Sequence, residues 1–181
     1  MNCDELLYAY MYGGEKGLES VIEAYGSGIL RYCHSILCDY HEAQDVQQLT
    51  FIKAYQKRDT FGKDGDMNLK AFLYKIAYNN CIDIIRRRKK AVLFSFGKNK
   101  DRDYDYIPEV IQNALLSLSD IDRAIVYSHA VDEITFAELA EIYNKTPATL
   151  RKRYERARKK LAKLLSGEYP QYCNINIKEE V

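Results

Sequence analysis

The chain has 181 residues, 47% of them hydrophobic and 29% charged, with a formal net charge of +1, proportions that describe a soluble globular protein of one large or two small domains. No apolar run approaches the roughly 20 residues of a membrane-spanning helix, and the opening MNCDELLYAY carries Asp4 and Glu5 where a secretory signal carries cations, so membrane insertion and export are excluded and a cytoplasmic protein is expected. Five cysteines at irregular spacing argue against a disulfide framework.

The near-neutral total hides a strong asymmetry. Residues 1 to 45 carry Asp4, Glu5, Glu15, Glu19, Glu23, Asp39, Glu42 and Asp45 against only Lys16 and Arg31, while RRRKK at 86 to 90 and TPATLRKRYERARKKL at 146 to 161 are cationic. Separation of sign on this scale predicts at least two different partner surfaces. Within the acidic part, CHSILCDYH places Cys33, His34, Cys38 and His41 close together. One helix cannot aim all four at a tetrahedral centre, so no metal is expected, and the reading is buried cysteines with exposed histidines.

A long helix is predicted from about Leu69 to Arg88. In LKAFLYKIAYNNCIDII the residues Leu69, Phe72, Leu73, Ile76 and Ala77 form one apolar stripe, continued by Ile84. Lys75, Asn79, Arg86 and Lys90 then share another face, polar and mostly cationic. The aromatic residues Phe61, Phe72 and Tyr78 lie nearby in the sequence. Periodicity lapses between about 92 and 110, where Gly97, Asn99 and Pro108 mark a linker. Asp101, Asp103 and Asp105 alternate there, but Tyr106 stands where a calcium loop needs glycine and Gln112 where it needs glutamate, so calcium is rejected.

Three further helices follow, placed by their caps. Ser119 with Asp122 has capping-box spacing, and Ile121, Ala124 and Ile125 point inward behind it. Thr135 with Glu138 makes a second box, with Ile134 and Leu139 as its hydrophobic staple. That short helix ends near Ile142, Asn144 takes a left-handed turn, and Thr146 caps a third helix with Pro147 at its first position. Leu150, Tyr154, Ala157, Leu161 and Leu164 share one side of this helix, and Lys152, Glu155, Arg156, Lys159 and Lys163 the other, with Arg151 on the flank. Eight cations between 151 and 163 face one acid. A short helix, a tight turn and a longer basic helix form a helix-turn-helix whose charge is aimed at duplex phosphates and major-groove base edges.

Three segments in order, EAQDVQQLTFIKAYQKRDTF, LKAFLYKIAYNNCIDIIRRRKK and LLSLSDIDRAIVYSHAVDEITFAELAEIYNKTPATLRKRYERARKKL, resemble a bacterial RNA polymerase sigma factor of the sigma-70 family in its two-domain extracytoplasmic-function (ECF) form, over roughly residues 3 to 166. The resemblance implies an all-α protein of two small helical domains: a sigma region 2 bundle at 1–91, a flexible linker at 92–110, a region 4 helix-turn-helix at 111–167 and a tail at 168–181. It implies an initiation factor, not an enzyme, that directs core RNA polymerase to promoters. The first domain would dock on the beta-prime clamp helices and melt the downstream promoter element; the second would bind the beta flap and read the upstream element. Asp45 and Gln48 match the positions that meet the clamp, and Leu49 departs from the usual Glu. Arg151, Lys152, Glu155 and Arg156 match the residues that face the upstream element. Asn79 matches the position beside the flipped-base pocket, with Lys75, Arg86 and Phe61 in support, and FGKDGDMNLKAF (61 to 72) matches the base-selecting loop. An anti-sigma partner is also implied. The alternative, a freestanding helix-turn-helix regulator, leaves the acidic first domain unexplained. Nothing in the chain suggests a catalytic centre, a cofactor or a metal site: it has no phosphate loop, no metalloprotease His-Glu pair, no nucleophile elbow and no catalytic carboxylate pair.

Overall fold

The computed structural model describes residues 3–61, 68–94 and 109–168, and every regular element among them is helical. The first half contains α1 (Cys3–Tyr12), α2 (Gly14–Leu37), α3 (Tyr40–Gln56), a 3-10 turn (Arg58–Thr60) and α4 (Leu69–Phe94). The second contains α5 (Glu109–Leu116), α6 (Asp120–Ala130), α7 (Phe136–Tyr143) and α8 (Pro147–Glu168). The expected calcium-like stretch, most of the linker, the base-selecting loop before Asn68 and nearly all of the tail lie outside the described residues.

Helical spacing of large apolar groups builds the first bundle. α2 buries Val21, Ile29, Tyr32, Cys33, Ile36 and Leu37; α3 buries Ala43, Val46, Phe51 and Ala54; α4 buries Leu69, Leu73, Ile76, Ala77 and Cys81. The α4 stripe continues through Ile85, whereas Ile84, expected to extend it, is only half-buried. After Cys81 a step of four residues is the one that stays under α2 and α3. α1 closes on the bundle at short range: a Cβ on Gly17 would lie 1.8 Å from the Ala9 carbonyl oxygen, so only glycine permits this approach. The Tyr10 hydroxyl donates to the Ala54 carbonyl at 2.7 Å, and burial pushes Tyr10 up to about 12, against the nearby Arg58 charge. α2 stops at Cys38, which is left-handed at φ 50°, and Asp39 then caps α3 by accepting the Glu42 N–H at 2.9 Å.

The second bundle packs Ala124 and Ile125 of α6, Leu139, Ile142 and Tyr143 of α7, and Leu150 and Ala157 of α8. The Thr135–Glu138 box forms in both directions, with Ile134 and Leu139 buried behind it. The Ser119 cap is one-sided: its hydroxyl accepts the Asp122 N–H, but the Asp122 carboxylate meets that hydroxyl and Arg153 instead. Aspartate is one methylene shorter than the glutamate that closes such a box. Arg123 is buried and donates to the Leu115 and Leu118 carbonyls and to Asp120, joining α5 to α6.

Two expectations are corrected, and one apolar position of α8 lies outside the core. His34 is buried, not exposed, with its ring edge-on to Tyr40 at 5.9 Å, and burial lowers its pKa against the opposing pull of Asp39; His41 is the exposed histidine. Leu164 is 43% exposed, because α8 outruns the bundle by that point. The helices also run further than the expected linker ends: α4 continues past Arg88 to Phe94, and α5 begins at Glu109. The apolar core runs without interruption from one bundle into the other, through Tyr32 and Tyr74 on one side and Ile125 and Tyr143 on the other.

Candidate nucleic-acid and polymerase interfaces

The turn before α8 aims its basic face. Asn144 is left-handed at φ 51°, the Thr146 hydroxyl accepts the Thr149 N–H at 3.3 Å, and Pro147 opens the helix. With Leu150 and Ala157 sunk in the core, Arg151, Lys152 and Arg156 stand exposed and Glu155 half-exposed, the four lining one shallow depression. Arg151 lies over the Phe136 ring at 5.4 Å, which steadies a long side chain near the helix start. Not all of the charge faces outward for a ligand. Arg153 bonds Asp122 at 2.8 Å and Ser119 at 3.1 Å, Lys160 donates to the Ser117 carbonyl, and Arg158 pairs with Glu155 at 3.0 Å. The run divides between holding α8 to its bundle and facing solvent.

On α4, Asn79, Arg86 and Lys90 are exposed and Lys75 is half-buried. The Arg86–Asp83 contact is 3.6 Å long between side chains 72% and 54% exposed, too solvated to neutralise the face. Phe61 does not stand free as a stacking platform: its ring packs edge-on to Tyr10 at 5.6 Å and Phe72 at 4.9 Å. Tyr78 packs edge-on to Tyr143 of α7 at 4.8 Å.

The neighbouring Asn80 is a residue that sequence reasoning passed over. It is buried, accepts from the Lys53 ammonium of α3 at 2.5 Å and donates to the Thr50 hydroxyl at 3.3 Å, while Thr50 donates to the Val46 carbonyl. These directed bonds fix the rotation of α4 about its axis, and so the direction of Asn79, more sharply than apolar packing does. Arg88 makes a second tie to the start of α3, to Asp39 and Glu42 and to the Leu37 carbonyl of α2. The available signal was register: Asn80 lies four residues after Ile76 and three after Ala77, on the apolar stripe, whereas Asn79 does not.

α3 presents a third face. Asp45 and Gln48 are exposed, Leu49 is half-buried, and Ile52 is 53% exposed. Positions 45, 48, 49 and 52 repeat at the three- and four-residue spacing of one helix face. Ile52 was missed because it reads as core, yet it lies out of register with buried Val46, Thr50 and Ala54.

Where the bundles meet, the start of α4 is engaged by the turn between α6 and α7. Asn68 caps α4 by accepting the Ala71 N–H at 2.7 Å and donates to Glu138 at 2.8 Å. Lys70 donates to the Asp132 carbonyl at 2.8 Å, and the Tyr74 hydroxyl to the Asp132 carboxylate at 2.6 Å. Burial raises Tyr74, and the Asp132 bond and charge raise it further. Asp132 is itself raised by burial, opposed by the Tyr74 bond and by Lys70 and Arg31. Glu138 is lowered: burial acts upward, but bonds from Thr135 and Asn68 and the Lys70 charge outweigh it. Deeper in, a relay of hydroxyls crosses the boundary. Ser128 gives its single proton to the Ala124 carbonyl, so Tyr143 donates to Ser128 at 2.9 Å and Tyr32 donates to Tyr143 at 2.9 Å.

This arrangement has known relatives. Residues 21–91 match the Sigma-70 region 2 family model and residues 109–161 the Sigma-70, region 4 model. The ECF RNA polymerase sigma factor SigW of Bacillus subtilis is 30% identical over 172 residues, covering 84% of this chain and 91% of the relative. The chain belongs to the ECF sigma factors of the sigma-70 family. SigM of the same organism is 26% identical over 81% of this chain and 94% of its own length. The sigma factor RpoE of Bartonella quintana, solved with the anti-sigma factor NepR, superposes with a TM-score of 0.70 at 25% identity, over 84% of this chain and 99% of that one. CnrH, solved with the cytosolic domain of CnrY, gives a TM-score of 0.72 at 22% identity over 92% of this chain, a likeness of fold. This sigma factor is a promoter-specific transcription initiation factor, and the match of both halves disfavours a freestanding helix-turn-helix regulator. Its relatives are sigma factors and not enzymes. No described helix is long and apolar enough to cross a membrane.

Proposed function

We propose that residues 1–91 and 111–167 of this sigma factor divide the work of initiation between them, in the cytoplasm, across the linker at 92–110. The α3 face of Asp45, Gln48 and Leu49, extended by Ile52, docks on the clamp helices of core polymerase. An apolar residue ringed by polar ones is the composition of a protein-binding core with a wet rim. Arg151, Lys152, Glu155 and Arg156 read the upstream element in the major groove. Asn79, with Lys75 and Arg86, takes the opened strand of the downstream element, while Phe61 supports the loop from within the aromatic cluster. The chain itself catalyses nothing and needs no cofactor.

The observation that carries this reading is the coexistence, in one chain, of an exposed basic recognition face on α8 and an exposed acidic, amide-bearing face on α3. An anti-sigma partner is part of the proposal, supported by the structural relative RpoE, which was solved with the anti-sigma factor NepR. Transcription by core polymerase supplemented with the purified chain tests it, with the transcripts sequenced to find their start points. Discrete start sites that depend on the added chain are expected. Co-purification failure together with tight, sequence-specific duplex binding by the chain alone at physiological salt would return the case to the freestanding regulator.

A further inference from the structure

The reading face of α8 is backed by a layer of rings. Phe136 opens α7 half-buried, and its ring lies 4.1 Å from the His129 ring of α6, tilted by 34°, and edge-on to Tyr154 of α8 at 5.8 Å. His129 is in turn edge-on to Tyr154 at 4.8 Å, and its Nδ1–H donates to the Ile134 carbonyl at 2.9 Å, which fixes the plane of the imidazole. Side chains from α6, α7 and α8 therefore meet in one aromatic cluster. Its outer ring, Phe136, carries the Arg151 guanidinium at 5.4 Å from the ring centre. Two neighbours on the reading face are held in another way: the Arg156 Nε donates to the Lys152 carbonyl at 3.3 Å and Glu155 pairs with Arg158 at 3.0 Å, contacts made within α8 itself. Arg151 is held from a different helix.

A flat guanidinium on a ring face keeps its edge N–H groups free, and those are the groups that meet the O6 and N7 of guanine bidentately. The ring also takes rotamer freedom from a long exposed side chain before DNA arrives, so less is lost on binding. An aliphatic residue at 136 would offer apolar contact without the negative ring face that attracts a cation.

We propose that Phe136 is a positioning residue for promoter recognition: it presets Arg151 for one base pair of the upstream element, and His129 and Tyr154 hold the ring that does so. The proposal rests on the reading of Arg151 as a residue that faces that element. Phe136 itself touches no base; it acts through Arg151. Loss of the ring leaves a cation near the groove without its aim, so attraction to phosphate persists while the choice of base weakens.

The test uses holoenzyme assembled from core polymerase and the full chain, on a native promoter whose upstream element is substituted one base pair at a time. Filter binding gives a discrimination ratio at each position. Arg151→Ala should flatten the ratio at one position, which marks the base pair it reads. Phe136→Leu should flatten that same position and lower binding to the matched promoter by about three- to tenfold, with the ratios elsewhere as in the wild type. Phe136→Tyr, which keeps the ring face, should retain the wild-type pattern. The double variant Arg151→Ala with Phe136→Leu should bind no worse than Arg151→Ala alone, because the ring has nothing left to aim. Where melting and circular dichroism show that Phe136→Leu does not fold, Phe136→Met takes its place with the same expectations, since an unbranched thioether fills irregular gaps. A ring that only stabilised the helix-turn-helix would behave differently: its loss would lower binding at every position alike and would multiply with the loss from Arg151→Ala. Either of those results, or a Phe136→Tyr variant as impaired as Phe136→Leu, overturns the proposal. A wild-type ratio in Phe136→Leu at the position that Arg151→Ala flattens rejects the positioning while the assignment of Arg151 stands. Wild-type ratios at every position in Arg151→Ala reject that assignment, and the positioning with it.

Discussion

The two surfaces proposed to face DNA are held in opposite ways. The α8 face is supported from beneath: Leu150 and Ala157 are buried, Arg153 and Lys160 are tied back to the bundle, and Arg151, Lys152 and Arg156 project from it. The start of α4 has its donors already engaged by carboxylates and a carbonyl of the other domain. A duplex needs only a preformed convex face to enter its groove, and the α8 face offers one without rearrangement. The donors at the start of α4 would have to leave their present partners before meeting another.

The largest break in this comparison should come from the ready face. Arg151→Ala with Arg156→Ala removes the two cations best placed for guanine, and a bidentate pairing is worth about 1 to 3 kcal/mol. Recognition of the upstream element by holoenzyme should fall by roughly ten- to a hundredfold for each arginine–guanine pairing removed, measured by filter binding on matched and scrambled promoters. Core binding and scattering profile should stay unchanged. Wild-type initiation by the double variant from a native promoter would remove the assignment.

Second comes the pin beneath the other face. Asn80→Leu strands the Lys53 ammonium in a half-dry position, while Thr50 keeps its bond to the Val46 carbonyl, at a cost of about 1 to 3 kcal/mol in stability. Adding Lys53→Met should restore much of the melting temperature, since removing both partners is far cheaper than removing one. It should not restore strand opening, because the direction of Asn79 remains unfixed. Recovery of both together would reduce the pin to a stabilising contact.

Much of this was legible beforehand, and the exceptions share a cause. Caps, staple and turn of the helix-turn-helix follow from local chemistry, so Thr135, Asn144, Thr146 and Pro147 were placed residue by residue. The candidate face on α8 followed from a 3.6-residue period and charge. What depended on packing between distant segments was hidden. His34 looked like a surface residue beside His41 until α3 folded over it. Phe61 read as a free ring because its partner Tyr10 lies 51 residues earlier in the chain. The tie between Asp132 and Tyr74 spans 58 residues and leaves no periodic trace.

Asn79→Ala offers a smaller effect than either break above, since one exposed amide on a cationic face supplies one interaction among several. Permanganate reactivity of thymines in the melted region should fall by a few-fold while holoenzyme assembly is unaffected. The comparison sharpens if the same substitution in the Asp132→Asn, Glu138→Gln background has a similar effect, because equal factors mark Asn79 as independent of the contact at the start of α4. Equal reactivity in wild type and variant would move base capture off α4.

The smallest effect expected is a gain. Glu133 stands in the turn that carries Asp132, exposed and left-handed at φ 54°. A side chain in that conformation costs roughly 1 to 2 kcal/mol, and glycine adopts it freely but loses about 0.5 to 1 kcal/mol more on folding. Glu133→Gly should therefore stabilise by about 0.5 to 1 kcal/mol, raising the melting temperature by about 1 to 4 °C for a chain of this size. Glu133→Ala serves as the counterpart: it deletes the same carboxylate but keeps the strained Cβ, and should not show the stabilisation. If alanine and glycine behave alike in melting temperature, loss of charge and not backbone geometry governs the turn.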